Sequence, residues 1–268
     1  MSRSVMMSDL SWPEYKRRLE EEDAIILLPV GAVEQHGYHL PLGTDWIMAT
    51  EMSRRAAQRV GGIVAPPVMY AYKSQIRSGG GNHYCGTTSL DGNSLIEMVR
   101  DVLKEFARHG ARKIAVIDGH YENEFFLTEA CDLAVRDLRY DGITDVRILK
   151  MRYCEEISDE VLAIAYPGGY PGLALEHGAV LETSMMLYLF PHLVDVTRIS
   201  DDPPADFPPY DLYPGNPDWV PPSGCLAPAH GSSAEIGKML VEEFTDLVSG
   251  ALQAQFRTAE TAAERKAS

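Results

Sequence analysis

Four cysteines in 268 residues, Cys85, Cys131, Cys154 and Cys225, leave this chain without a single CxxC pair. That excludes a thiolate zinc site and a disulfide framework, and points to reduced thiols, mostly buried and inert, inside a cell. Positive charge is also short: 24 Lys and Arg face 39 Asp and Glu, a formal net charge of −15. Nucleic acid and anionic membrane surfaces need a basic face, so neither is expected as a partner. No apolar run could cross a bilayer, since the longest, Ala24–Val33, is about half the required length. The polar start, Met1–Asp9, has no signal-peptide core, and a soluble cytoplasmic protein is expected. The glycine-rich stretch Ser78–His83 lacks the Gly-Lys-Ser/Thr ending of a phosphate loop. It reads equally as a plain flexible loop or as a place where backbone approaches a small ligand. There is no internal repeat and no linker, so residues 1–268 are read as one domain.

What is present is an alternation of apolar strands and amphipathic helices. Ser11 and Glu14 stand at capping-box spacing and open a helix to about Glu21. Ala24–Val30, Lys113–Ile117 and Val146–Met151 read as strands, and Ile63–Tyr70 as an edge or irregular strand broken by Pro66-Pro67. Helices are expected over Trp46–Val60, from Asp91 to Gly110 with Ile96, Val99, Leu103 and Phe106 inward, and over Glu122–Tyr140, Glu176–Leu189 and Ala234–Phe256. Such order predicts an α/β fold: a mostly parallel sheet between two helix layers. Ser200–His230 holds nine prolines and should form an irregular arm, ordered by Phe207, Tyr210, Leu212, Tyr213 and Trp219. Arg257–Ser268 is a polar tail.

Two short stretches repeat one chemical arrangement. Glu34 and His36, and His120 and Glu122, each place a carboxylate and an imidazole two residues apart, just after an apolar strand. In extended backbone such residues point to one side, so each pair could present an oxygen and a nitrogen to a shared point. Asp45 follows the first pair and could bridge. A lone Glu or His of this kind is more often structural; two matching pairs at strand ends, where parallel sheets bind ligands, outweigh that reading. Three carboxylates and two imidazoles suit two divalent ions such as Zn²⁺, Mn²⁺ or Fe²⁺. Two such ions, three carboxylates and one hydroxide sum to zero charge, which favours a water activated near neutral pH. His177, in Glu176-His177-Gly178, reads equally as a proton shuttle or as a surface histidine at a helix start. His39, His83, His109, His192 and His230 show no partner pattern.

The segments LPVGAVEQHG, YKSQIRSGGGNH with GTTSLDG, ARHGAR, DGHYEN, LEHGAVLETSMM and DDPPADFPPYD resemble the creatininase (creatinine amidohydrolase) family from about Leu10 to Leu247. The resemblance implies a three-layer α/β/α fold, a homohexamer and a dinuclear Mn/Zn centre. It implies that Glu34, Asp45 and His120 hold one metal and His36, Asp45 and Glu122 the other. It further implies that Glu122 activates water, that His177 moves a proton to the leaving nitrogen, and that Ser78, Tyr121 and Glu176 contact substrate. Where the family lines its pocket with two tryptophans and a ring-contacting aspartate, this chain has Cys154, Leu173 and Ala174. The implied activity is opening of a small polar ring, with the altered lining arguing against creatinine itself among cyclic amides. The resemblance also extends to a hydrolase of 3-dehydro-scyllo-inosose, so a cyclic polyol ketone is a second substrate class. A catalytically silent scaffold is the alternative of another kind.

Overall fold

A computed structural model describes residues 4–256; the tail expected at Arg257–Ser268 lies outside the described residues. In chain order the main elements are α1 (Trp12–Glu22), β1 (Ile26–Val30), α2 (Thr44–Val60), β2 (Ile63–Val64), α3 (Ile76–Gly79), α4 (Gly92–Arg108), β3 (Lys113–Asp118), α5 (Glu124–Tyr140), β4 (Arg147–Arg152), α6 (Asp159–Ala165), α7 (Val180–Leu189) and α8 (Ala234–Phe256). The strands form one parallel sheet in the order β2-β1-β3-β4.

Alternating side chains divide the interior in two. Leu27 of β1 and Ala115 and Ile117 of β3 face a core with α2, α7 and α8. Ile26, Leu28 and Val30, with Ile114 and Val116, face the opposite core with α4 and α5. A strand buried on both faces by this two-residue period is the reason β1 and β3 read as continuous apolar runs. The three-layer α/β/α expectation therefore holds.

Proline in an inner strand would ordinarily break a ladder. In β1 the carbonyl of Pro29 accepts from Val68 N at 2.9 Å, on the β2 side. Its missing N–H points the same way, to where β2 has already ended at Val64, so no strand partner is lost.

Several local expectations are corrected. Ser11 makes no side-chain cap at α1. Pro66-Pro67 cut the Ile63–Tyr70 strand to two residues plus an isolated Val30–Val68 bridge. On α4 the fully buried stripe is Leu95, Val99, Leu103 and Ala107, with Ile96 and Phe106 at its margins. α5 starts at Glu124 because Tyr121–Asn123 form a separate 3₁₀ turn. α7 starts at Val180, leaving Glu176–Ala179 as loop. Among the expected anchors of the proline-rich arm, Tyr210, Leu212 and Tyr213 are exposed; Val220, Cys225, Leu226 and Ala227 are buried instead. Cys85 is exposed, unlike Cys225. No described helix is long and apolar enough to cross a membrane.

Candidate metal centre

The carboxyl ends of β1 and β3 lie side by side, Val30 paired with Asp118. Two glycines let the start of α2 close on them. A Cβ on Gly31 would lie 2.3 Å from Trp46 N, and one on Gly119 2.8 Å from Asp45 O. Any larger residue would push away the helix turn that carries Asp45. Gly79 plays the same part on the other side, where a Cβ would sit 2.2 Å from Glu34 Oε1 and 3.0 Å from Glu122 Oε1. The glycines of the Ser78–His83 stretch thus admit backbone close to the site's own carboxylates.

The buried side chains so assembled converge. Asp45 sits between two imidazoles, its Oδ1 2.8 Å from His36 Nε2 and its Oδ2 3.1 Å from His120 Nδ1. Glu34 Oε2 lies 3.0 Å from His120 Nδ1. On the far side Glu182 Oε1 lies 3.6 Å from His36 Nε2. Glu34, Asp45 and His120 form one group of atoms within ligand reach of one another, and His36, Asp45 and Glu182 form another. Glu34 also falls within such reach of His36 and His177. Glu122 belongs to none of these groups among the described residues. Its Oε1 accepts from Ser78 Oγ at 2.7 Å and Gln75 N at 3.0 Å, and its Oε2 is 3.4 Å from His120 Nε2.

Glu34 Oε1, His36 Nε2 and Asp45 Oδ2 are buried and make no aligned hydrogen bond despite their close neighbours. Atoms that crowd without bonding, and would each cost about 1–3 kcal/mol if left unsatisfied, fit ligands aimed at ions between them. The donor set of carboxylate and imidazole agrees with that fit.

Charge follows the same geometry. Burial raises the Glu34 carboxyl to about 7 against the opposing pull of His120. Burial would also raise Asp45, but His36 and His120 hold it far below the usual carboxylate range. Burial disfavours charge on His36 and His120, yet the acids around them keep both well above the ordinary imidazole value. Without ions, protons hold the cluster together; a metal would take their place. His177 moves the other way: burial and the neighbouring His36, 4.3 Å away between ring centroids, keep it neutral.

A cavity opens over the cluster, lined in part by Ser78, Tyr121, Glu122, Cys154, Leu173, Glu176 and His177. Ala174 lies instead in an outer groove with Tyr121, Ser78 and Glu122. Glu176 Oε1 accepts from Tyr166 Oη and Leu181 N, both at 2.6 Å. The surface-histidine reading of His177 is overturned, since the ring is buried.

Three residues of the site had no assigned role in the sequence. Glu182 is the lone charge on α7, VLETSMMLYL, and an acid in a buried apolar helix is itself a signal. Gln35, between two predicted ligands, bonds Gly79 O at 3.1 Å and Gly224 O at 2.9 Å and faces His177 Nε2 at 2.9 Å, tying three loops together. Asp118 accepts from His120 N at 3.1 Å and Asn123 Nδ2 at 3.0 Å, which shapes the turn after β3.

Comparison with known proteins identifies the family. The family model described as creatinine amidohydrolase matches residues 8–252. Creatinine amidohydrolase of Pseudomonas putida is 45% identical over 96% of this chain and 99% of its own. A mycofactocin precursor peptide peptidase of Mycobacterium ulcerans is 30% identical over 82% and 81%. The 3-dehydro-scyllo-inosose hydrolase of Thermotoga maritima is 27% identical over 76% and 62%. Solved creatininases superpose closely: a Mn form at TM-score 0.92 and 45% identity, and a mutant of Zn-Zn type at 0.93 and 44%, each over 95% of this chain and 99% of that one. With its parallel sheet, its buried ligand cluster and this match over nearly its whole length, the chain belongs to the creatininase family of metal-dependent hydrolases.

Proposed function

We propose that the protein opens a small polar ring at a two-ion centre. Glu34, Asp45 and His120 would hold one divalent ion, His36, Asp45 and Glu182 the other, with Mn²⁺ or Zn²⁺ as the occupants. The observation that carries this reading is Asp45, whose two oxygens face two imidazoles from opposite sides. When bound, the ions supply Lewis acidity toward a carbonyl and a water acidified to near neutrality.

The chain's own residues do the rest. Glu122 is fixed through Oε1 by Ser78 and Gln75, so Oε2, 3.4 Å from His120 Nε2, is the oxygen without a hydrogen-bond donor that would take a proton from the attacking water. His177 is buried and uncharged, and can pick up a proton and hand it to the leaving atom, the nitrogen of a cyclic amide or the ring carbon of a cyclic ketone. Tyr121, Glu176, Cys154 and Leu173 border the bound ring, and Ala174 stands at the outer approach. Leu173, Leu181, Met185 and Phe244 add apolar lining to the cavity, which would limit water around the reacting bond.

A cyclic amide is the first substrate class, on the strength of the relative that shares 45% identity. A cyclic polyol ketone is the second, favoured by Cys154, Leu173 and Ala174. A wall without indoles or an aspartate loses stacking and polar contacts each worth about 1 kcal/mol and leaves room for a hydroxyl-rich ring. A silent scaffold would have no reason to keep so many unsatisfied buried ligands. The test is turnover by Mn²⁺-loaded protein of creatinine and of 3-dehydro-scyllo-inosose side by side. Ring opening of either supports the reading and chooses the class; a metal-loaded protein that opens neither contradicts it.

A further inference from the structure

Arg152 ends β4, at the same carboxyl edge of the sheet as the metal cluster. It lines the cavity together with Tyr121, Cys154 and Glu182. Among the described residues lining that cavity it is the one Lys or Arg, in a lining that holds five carboxylates and the imidazoles of His120 and His177. The guanidinium is nearly buried, with 14% of its side chain exposed, and lies over the Tyr121 ring at 5.1 Å.

Its hydrogen bonding is one-sided, although a carboxylate stands on each side. The Nε–Nη2 edge is closed by Glu155, at 2.9 and 3.1 Å. Nη1 has the Glu124 carboxylate 3.1 Å away but makes no aligned hydrogen bond, and it is buried. Glu124 and Glu155 are each two-fifths to one-half exposed, so water screens both pairs. Arginine offers two parallel donor edges, each matched to a carboxylate. Here one edge and the ring of Tyr121 hold the group in place, while the Nη1 side keeps a donor unspent.

We propose that Arg152 is a specificity-determining residue that selects ring substrates bearing a carboxylate, which Nη1 would bind at the β4 side of the cavity. The inference rests on the ring-opening reading above and narrows it from a polar ring to an anionic one. It also gives the acidic pocket a means to admit a negative group: the bound ions would balance the ligand carboxylates, and the substrate would compete with the half-exposed Glu124 for the Nη1 side of Arg152.

The test uses Mn²⁺-loaded protein with hydantoin, a neutral cyclic ureide, and hydantoin-5-acetate, its carboxylated counterpart, measuring both calorimetric binding and turnover. The expected result is binding of the carboxylated ring at least about tenfold tighter than the neutral one. Arg152→Gln should bring the two within about threefold, with metal content and hydantoin binding unchanged. Arg152→Lys, which keeps the charge and loses the fork, should fall between, and serves alone if the glutamine variant fails to fold. No preference in the parent, or equal weakening of both rings in the variant, overturns the proposal and marks Arg152 as structural. An Arg152-dependent preference in a protein that hydrolyses neither hydantoin and opens neither creatinine nor 3-dehydro-scyllo-inosose would sink the ring-opening reading and keep the anion site. Hydrolysis of hydantoin without preference would do the reverse, and neither binding nor turnover of any of these rings would overturn both.

Discussion

The strand-end floor of the site is almost wholly buried, with Glu34, His36, Asp45 and His120 each at most 3% exposed. The wall opposite, from Arg152 through Glu176, is a half-exposed run of turns around the short α6. The floor is held by the sheet, by glycines that admit no side chain, and by bonds such as Asn123 to Asp118. The wall is held by turn bonds such as Leu175 N to Gly172 O and by side-chain bonds such as Tyr166 to Glu176 and Ser158 to Glu243. Chemistry that needs ligands placed to a fraction of an ångström belongs on the first kind of support, and substrate choice on the second. This division explains how relatives named for a creatinine, a peptide precursor and an inosose share one fold.

The sharpest way to break the division is to damage the floor's chemistry without its ligands. Glu122→Gln keeps the hydrogen bonds to Ser78 and Gln75 in reach and removes the proton acceptor. Turnover should fall by about a hundred- to ten-thousandfold, with circular dichroism and thermal midpoint close to the parent. Near-parent activity with metal bound would show that another group takes the proton.

Changing the wall should do less and do it selectively. Cys154→Trp and Ala174→Asp restore family features and should shift the ratio of kcat/KM between creatinine and an inosose by about tenfold, leaving metal content alone. A uniform loss on all substrates would mean that wall and floor are coupled, against the comparison.

The smallest effect concerns the seam between the two. Burial, with Glu182 beside it, raises Glu176 from its ordinary 4.5 to about 8. A raised folded value means that stability present below pH 4.5 is lost as pH climbs through about 8. Urea titrations of metal-free protein should show that decline, and Glu176→Gln should flatten it over the same window. An identical slope in both proteins would remove Glu176 as its source.

Legibility in the sequence followed the same line. β1 and β3 were readable because burial on both faces forces an unbroken apolar run, and Glu34, His36, His120 and Glu122 because short spacing after a strand survives folding. Each pair does come together, Glu34 within ligand reach of His36 and Glu122 3.4 Å from His120, but each also meets partners from elsewhere that its spacing does not name. The chain turns after both strands, so Glu34 meets His120 across the sheet and His36 meets Glu182 from α7. No spacing encodes that crossing; it depends on where α7 docks. The loop Glu176–Ala179 escaped for a related reason: LEHGAV has helical composition, but Gly178 adopts a left-handed φ of 63° and the Glu182 carboxylate takes its N–H at 2.7 Å. The setting of Arg152 was equally hidden: Glu155 is only three residues on, but Tyr121 and Glu124 reach the guanidinium through the fold.

The central claim is that Glu182, rather than Glu122, completes the second ion's ligand set. Metal analysis of parent, Glu122→Gln and Glu182→Gln proteins, each dialysed after Mn²⁺ loading, tests it directly. The account predicts about two ions per chain in the parent and in Glu122→Gln, and about one in Glu182→Gln. Two ions retained by Glu182→Gln, with one lost from Glu122→Gln, would contradict it.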